Sequence, residues 1–393
     1  MNLTHSQPRF VLMLAAAMAV AACASPAGAP EAVGSITATS VAMQMATLTP
    51  EPTAGVSTVI PADGSPPASA SPVPLVTANS ITISAVGDIS LARQVVERMQ
   101  ASGADYPYAL VAPLIDGDIG FANLEGALTD RGDPWPKGYN FRTPPVFAVG
   151  LARAHFGVVT IANNHTMDFG TIGLTDTVEA LDASGVRHAG AGANALAAHI
   201  PAVIEVKGLR VAFLGYAATP DESGGFTIRA WSAGEATPGI TIGTPEGIAA
   251  DVRAAKRIAD FVIVAVHAGN EYITTPNDTQ RSLAAAALAA GADAYIGAHA
   301  HVVQPVELRR NQLIAWGLGN FIFDLDTVDL ANIPRPRVSV ILDLTLTKGA
   351  GVTAYHAIPV TQDEEQDRPR PATPEEAAIL QSLIGSPGQS AGP

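Results

Sequence analysis

Short apolar runs recur along the middle of the chain, and most of them stop at a polar or glycine-containing cluster. Ile81–Val86 stops at Gly87-Asp88, Gly117–Ala122 at Asn123-Leu124-Glu125, and Val158–Ala162 at Asn163-Asn164-His165. Val211–Tyr216, Phe261–Val266, Ala294–Ile296, Leu313–Trp316 and Val338–Leu346 have the same form. Bounded runs of this length predict strands. The stretches between them predict helices. Leu91–Ala101 places apolar residues at mixed i+3/i+4 spacing, Ile172–Ser184 ends at Gly185, Thr279–Ala290 is stopped by Gly291, and Pro245–Ala259 opens on a proline. Strands alternating with helices predict an α/β fold over residues 79–361.

The ends of the chain follow another pattern. Arg9 precedes a twelve-residue apolar run, Val11–Ala22, which is short for a membrane span and suited to a signal segment. The run ends Val20-Ala21-Ala22-Cys23, which resembles a bacterial lipobox, so residues 1–23 read as a lipoprotein signal with Cys23 as the lipidated residue. Two or more acyl chains there would anchor the protein stably to a membrane. Residues 24–78 are rich in Ala, Pro, Ser, Thr and Gly, and carry only Glu31, Glu51 and Asp63 as charges. Such a segment buries too little to offset its conformational entropy and reads as a disordered tether, with a coil span of about 40 Å. Residues 362–393 read as a polar C-terminal tail.

Composition narrows the function. Of 393 residues 48% are hydrophobic, enough for a sizeable core. Lys plus Arg is 22 against 36 Asp plus Glu, a net charge of −14, which argues against a nucleic-acid partner. A single Cys excludes an intrachain disulfide, a Cys-based zinc finger and an iron–sulfur cluster.

Candidate chemistry collects at the ends of the apolar runs, where α/β folds bind their ligands. The sets are Asp88; Asn123 and Glu125; Asn164 and His165; His267; His299 and His301. Taken singly each has a plainer reading: Asp88 as a helix cap, Asn164-His165 as turn formers, Glu125 as a rim carboxylate, the histidines as hydrogen-bonded loop residues. The pair His299/His301 would face one side if extended. Together they form a mixed nitrogen and oxygen donor set suited to Mn, Fe or Zn. Two such ions bridged by a carboxylate polarise a scissile bond and activate water. Lys137 and Arg142 lie in the loop Trp135–Arg142, and Lys137 is the only Lys before residue 207. A cation pair there suits a carboxylate or polyanion, or is incidental loop charge. Arg93 is placed either to pair with Asp88 or to meet substrate, and Glu271 to orient a histidine or touch substrate. Asp168 and Gly170 shape the turn into the next helix, with Asp168 also grouped with His165 as a candidate catalytic residue. Asn320 either closes a loop over the site or forms a turn.

Six motifs in order resemble the CapA family of poly-γ-glutamate capsule proteins, within the calcineurin-like metallophosphoesterases. They are Val86–Arg93, Ala122–Glu125, Ile161–Gly170, Val266–Tyr272, Gly297–Pro305 and Gly317–Phe321, and they cover about residues 80–330. The resemblance implies a four-layer αββα fold, two β-sheets packed together and flanked by helices. It implies that Asp88 and His301 hold a first ion, that Asn164, His267 and His299 hold a second, and that Glu125 bridges them with Asn123 beside it. His165 would protonate the leaving group. Ser90 stands where the wider superfamily has a His, and Asn123-Leu124-Glu125 where it has a bridging Asp. The first ion therefore loses an imidazole, and one or two ions per chain are expected.

Three functions follow as expectations. The first is a lipid-anchored, extracytoplasmic hydrolase or transferase, in which metal-bound hydroxide attacks an amide or phosphoester of poly-γ-glutamate or a related anionic polymer. The second is a non-catalytic accessory of polymer synthesis or export, working beside membrane synthase subunits. The third is a solute-binding lipoprotein, which would not need the histidine and carboxylate sets.

Overall fold

The computed structural model describes residues 79–222, 224–324, 337–363 and 366–385. The expected signal, Cys23 and tether lie outside them. Two sheets carry the fold. The first contains β1 (Ser80–Ile89), β2 (Ile119–Leu124), β5 (Phe156–Thr160), β6 (Arg187–Ala189), β15 (Asn320–Ile322), β16 (Val338–Thr347), β17 (Gly351–Asp363) and β18 (Arg368–Pro371). Its order is β18-β17-β16-β1-β2-β5-β6, with β15 also paired to β1. The second contains β8 (Ala202–Val206), β9 (Leu209–Ala218), β11 (Phe261–Ala268), β12 (Ala294–Ala298), β13 (Val306–Arg309) and β14 (Gln312–Ala315), in the order β13-β14-β12-β11-β9-β8. Two short pairs stand apart, β3 (Ala127–Leu128) with β4 (Arg142–Thr143) and β7 (Ala191–Gly192) with β10 (Gly239–Ile240).

The layers follow from the two-residue period of a strand. In β11 every residue is buried, so the strand reads as one apolar run. Phe261, Ile263 and Ala265 face the first sheet, where they join Ile83, Phe121 and Leu342, and the rings of Phe121 and Phe213 stack at 5.5 Å. Val262, Val264 and Val266 face the other way, against α5 (Pro245–Ala255) and α6 (Asp278–Ala289), through Ile248, Val252, Leu283 and Ala287. On the far side of the first sheet lie α1 (Gln94–Ser102), α2 (Ala148–Arg153) and α3 (Gly170–Ser184), which contribute Val95, Met99, Leu151, Leu174 and Leu181. The fold is the expected four-layer αββα arrangement. One further helical turn, α4 (Ala195–Ala198), is capped by Asn194.

Two expectations are corrected. The folded body does not end at Thr361. β17 continues to Asp363, β18 pairs with it, and α7 (Pro374–Ile384) places Leu380 and Ile384 in the core between the sheets. A capping box at Thr373 and Glu376 starts that helix, so part of the segment's polar character is its N-terminal cap. The helix expected at Leu91–Ala101 begins only at Gln94. Residues 89–92 instead continue the first strand's buried path, with the Ser90 N–H bonded to the Ile322 carbonyl.

What positions the site is the direction of the strands. β1, β2, β5 and β6 run parallel, as do β9, β11, β12 and β14. The carboxyl ends of the inner strands of both sheets meet at one place. Two glycines let the chain crowd there. A Cβ on Gly87 would stand 1.9 Å from the Gly319 carbonyl oxygen, and one on Gly297 equally close to that of Trp316. Each glycine lies one or two residues before a site residue, Asp88 and His299, so the close backbone approach sets where those side chains start.

Candidate metal centre

Asp88, Glu125, Asn164, His165, His267, His299 and His301 converge at these strand ends, all of them buried. Asp88 lies opposite Asn123 on β2 and Asn320 on β15. Its Oδ1 accepts from the Asn123 amide at 2.8 Å and its Oδ2 from the His299 backbone N–H at 3.1 Å. His267 Nε2 lies 2.9 Å from Asn164 Oδ1, so these two donor atoms point at one spot. His301 Nδ1 meets Asn320 Oδ1 at 2.8 Å, and the rings of His267 and His299 are 4.8 Å apart.

Glu125 is the centre of the cluster. It is fully buried, and neither carboxylate oxygen has a hydrogen-bond partner among the described residues. The Nε2 atoms of His165, His267 and His301 each stand 3.9 Å from its Oε1, beyond hydrogen-bonding distance. Burial pushes the Glu125 carboxyl well above the usual carboxylate range, and Asp88 adds to the rise. Asp88 is raised for the same first reason, partly offset by His301. Burial also holds His165, His267 and His299 well below the usual imidazole range, so they are neutral near pH 7 and offer lone pairs. His299 Nδ1 has no hydrogen-bond partner either. A buried carboxylate without partners, ringed by imidazoles, fits a divalent cation. Asp88, Glu125 and His301 offer ligand atoms all within 4.8 Å of one another.

His299 and His301 converge by a route the alternation argument did not foresee. They are not extended; both lie in the turn after β12 with φ of 88° and 57°. Left-handed backbone at two non-glycine residues costs about 1–3 kcal/mol each and persists only where the surroundings enforce it.

Four residues grouped as candidate substrate contacts, Asn123 among them, are engaged by the protein itself. Lys137 is not in an open loop: its side chain is 1% exposed, and its Nζ is 2.9 Å from Asp168 Oδ1. It also donates to the Asn164 carbonyl oxygen, lies 3.3 Å from His165 Nδ1, and sits 5.0 Å from the ring centres of Phe226 and Trp231. Arg142 donates from Nη2 to the Arg131 and Gly132 carbonyls and stacks on Phe169, so it clamps a loop. Arg93 pairs at 3.5 Å with Asp324, and not with Asp88. Asn123 is buried with its amide group engaged by Asp88, His267, Thr160 and Asn163, which makes it a brace between Asp88 and His267. Glu271 alone of that group stays exposed, at the edge of the cluster near His299 and His301.

Asp168 does more than shape a turn. Its Oδ2 lies 2.7 Å from His165 Nδ1, and its carboxyl is pushed up to about 7 by burial, against the pull of Lys137. Phe141 stacks on the His165 ring at 4.0 Å.

Two supporting residues were not singled out as site candidates. Asn163 ties its loop to the Leu124 carbonyl and accepts from the His165 N–H; the Asn163-Asn164-His165 run is its only signal. Glu222 accepts from the Asn164 amide at 2.9 Å, and nothing in its sequence surroundings marks it. Asn320 neither closes a loop nor merely turns one; it holds the His301 ring.

Residues 82–325 match the sequence model of a family described as "Bacterial capsule synthesis protein PGA_cap". The chain is 32% identical over 293 residues to the PGA biosynthesis protein CapA of Bacillus subtilis, covering 74% of this chain and 73% of that protein. It is 34% identical over 223 residues to a probable polyglutamine synthesis accessory protein of Mycobacterium tuberculosis, covering 54% of this chain and 57% of that one. Among solved structures, a putative 5′-nucleotidase from Staphylococcus aureus in complex with alpha-ketoglutarate aligns with a TM-score of 0.41 and 16% identity, over 77% of this chain and 58% of that chain. On the family match and the CapA similarity, the chain belongs to the bacterial capsule synthesis protein family PGA_cap.

Proposed function

We propose that the protein is a divalent-metal-dependent hydrolase or transferase acting on poly-γ-glutamate or a related cell-surface polymer, in its synthesis, processing or anchoring. Its relationship to CapA supports the polymer. The observation that carries the chemistry is the Glu125 carboxylate, buried, without hydrogen bonds and surrounded by imidazole nitrogens. Asp88, Glu125, Asn164, His267, His299 and His301 would hold one or two ions of Mn, Fe or Zn. When bound, such ions supply Lewis acidity and lower the pKa of water. The remaining work belongs to the chain itself. His165 faces Asp168 through Nδ1 and the cluster through Nε2, so Nε2 is the atom at which it exchanges a proton with substrate. Asp168 and Lys137 fix the ring's orientation. Asn123 and Asn320 hold Asp88 and His301 in place.

His165→Ala is expected to keep its metal and lose about 10²–10⁴-fold in turnover of amide or phosphoester substrates. Metal analysis beside a hydrolysis assay reads both, and full turnover in the variant would remove His165 from the mechanism.

The second reading, an accessory that keeps the fold without turnover, is favoured by Ser90, which follows β1 and leaves the Asp88 side without an imidazole there. Retained metal with no turnover on any such substrate would select it. The apolar run before Cys23 supports anchoring on the outer side of a bacterial membrane. Among the described residues no helix is long and apolar enough to cross a membrane. Cys23→Ala is expected to move the protein from the membrane fraction to the soluble one; an unchanged distribution would end the lipid-anchor reading.

A further inference from the structure

We infer that Glu271 is a direct metal ligand, completing the cation site at its solvent-facing side with His299 and His301. The inference rests on the metal reading of the same cluster and deepens it. Three observations carry it. A carboxylate oxygen of Glu271 and ring nitrogens of His299 and His301 all lie within 4.8 Å of one another. The buried His299 Nδ1 has no hydrogen-bond partner, although the exposed Glu271 stands beside this histidine and His301. The position is built into the backbone: the N–H of Tyr272 donates to the Ala300 carbonyl at 2.8 Å, tying the turn that carries Glu271 to the residue between the two histidines. Tyr272 holds a φ of 62° at that tie, a conformation a non-glycine residue keeps only under constraint.

The chemistry has a reason. Ser90 offers no imidazole on the β1 side, and a carboxylate arriving after β11 supplies a replacement donor from the opposite sheet. It also adds negative charge.

The test is a calorimetric titration of Mn²⁺ alone into the metal-stripped full chain, for wild type and Glu271→Gln, at low and at high ionic strength. Glu271→Gln is expected to weaken at least one Mn²⁺ step by about 10–100-fold at both and to change the spin-resonance spectrum of bound Mn²⁺. A Glu271→Gln titration and spectrum like wild type would overturn the inference, and so would a weakening that fades at high ionic strength with an unchanged spectrum, which would leave only through-space charge. Wild type that binds no Mn²⁺ would overturn this inference together with the metal reading, a result distinct from either.

Discussion

Lys137→Met is expected to destabilise the protein by about 3–5 kcal/mol, the cost of removing one partner from a buried ion pair. The side chains of Lys137 and Asp168 are 1% and 0% exposed. Without the ammonium, Asp168 keeps only the Phe141 N–H and His165 as polar neighbours. A chain of this size loses about 2–4 °C in Tm for each kcal/mol, so the midpoint falls by about 10 °C. The sign with pH follows from Asp168. Its folded pKa, already near 7, rises further without Lys137, so the variant's folded state binds a proton more tightly than its unfolded state does. The deficit is smallest at acid pH, where Asp168 is neutral, and grows as pH rises. Lys137→Met/Asp168→Asn is expected to recover most of the loss, since neither charge is then left alone. Thermal melts of the three proteins at pH 5 and pH 8 read all of this. A loss under about 1 kcal/mol, as for an exposed pair, would contradict the buried-strut account.

That Lys137 reading shows where the sequence ceases to be legible. Strand ends can be read from chain order, because an apolar run stopping at Asp88, Glu125, His165 or His267 marks both strand and site. A loop residue's neighbours cannot. Lys137 and Arg142 stand in a polar loop, and only the packing of Phe226, Trp231 and Phe169 around them shows one buried and the other clamped. β17 escaped notice because its middle is mostly exposed or half-buried and its apolar signal sparse. α7 was hidden by the proline and acids that cap it. The His299/His301 pair was identified as a site element, but its conformation was not, since left-handed backbone at histidine is imposed by its surroundings.

Metal removal is expected to have the second large effect. Asp88 and Glu125 are raised by burial, so in the metal-free chain protons compete for them. A carboxylate with a raised folded pKa binds its proton more tightly folded than unfolded. The metal-free protein therefore loses stability as pH climbs from the ordinary carboxylate range through the raised value. A bound cation reverses this, because it needs the ionised form and its affinity rises with pH. At about 1,000 times the dissociation constant, binding adds about 4 kcal/mol to stability. Chelation is expected to lower the Tm by about 10 °C at pH 8 and by clearly less at pH 6. An equal shift at both pH values would show that these carboxylates are not where the ion binds.

The central claim is that the strand-end cluster is a metal site, and elemental analysis of the purified protein tests it most directly. Wild type and a His299→Ala/His301→Ala variant would be reconstituted anaerobically with Mn, Fe or Zn, desalted and measured. The account predicts about one to two transition-metal ions per chain in wild type, as expected for a closed or two-ion site, and their loss in the folded variant. No stoichiometric metal in wild type with any of the three, or the same content in both proteins, would contradict it.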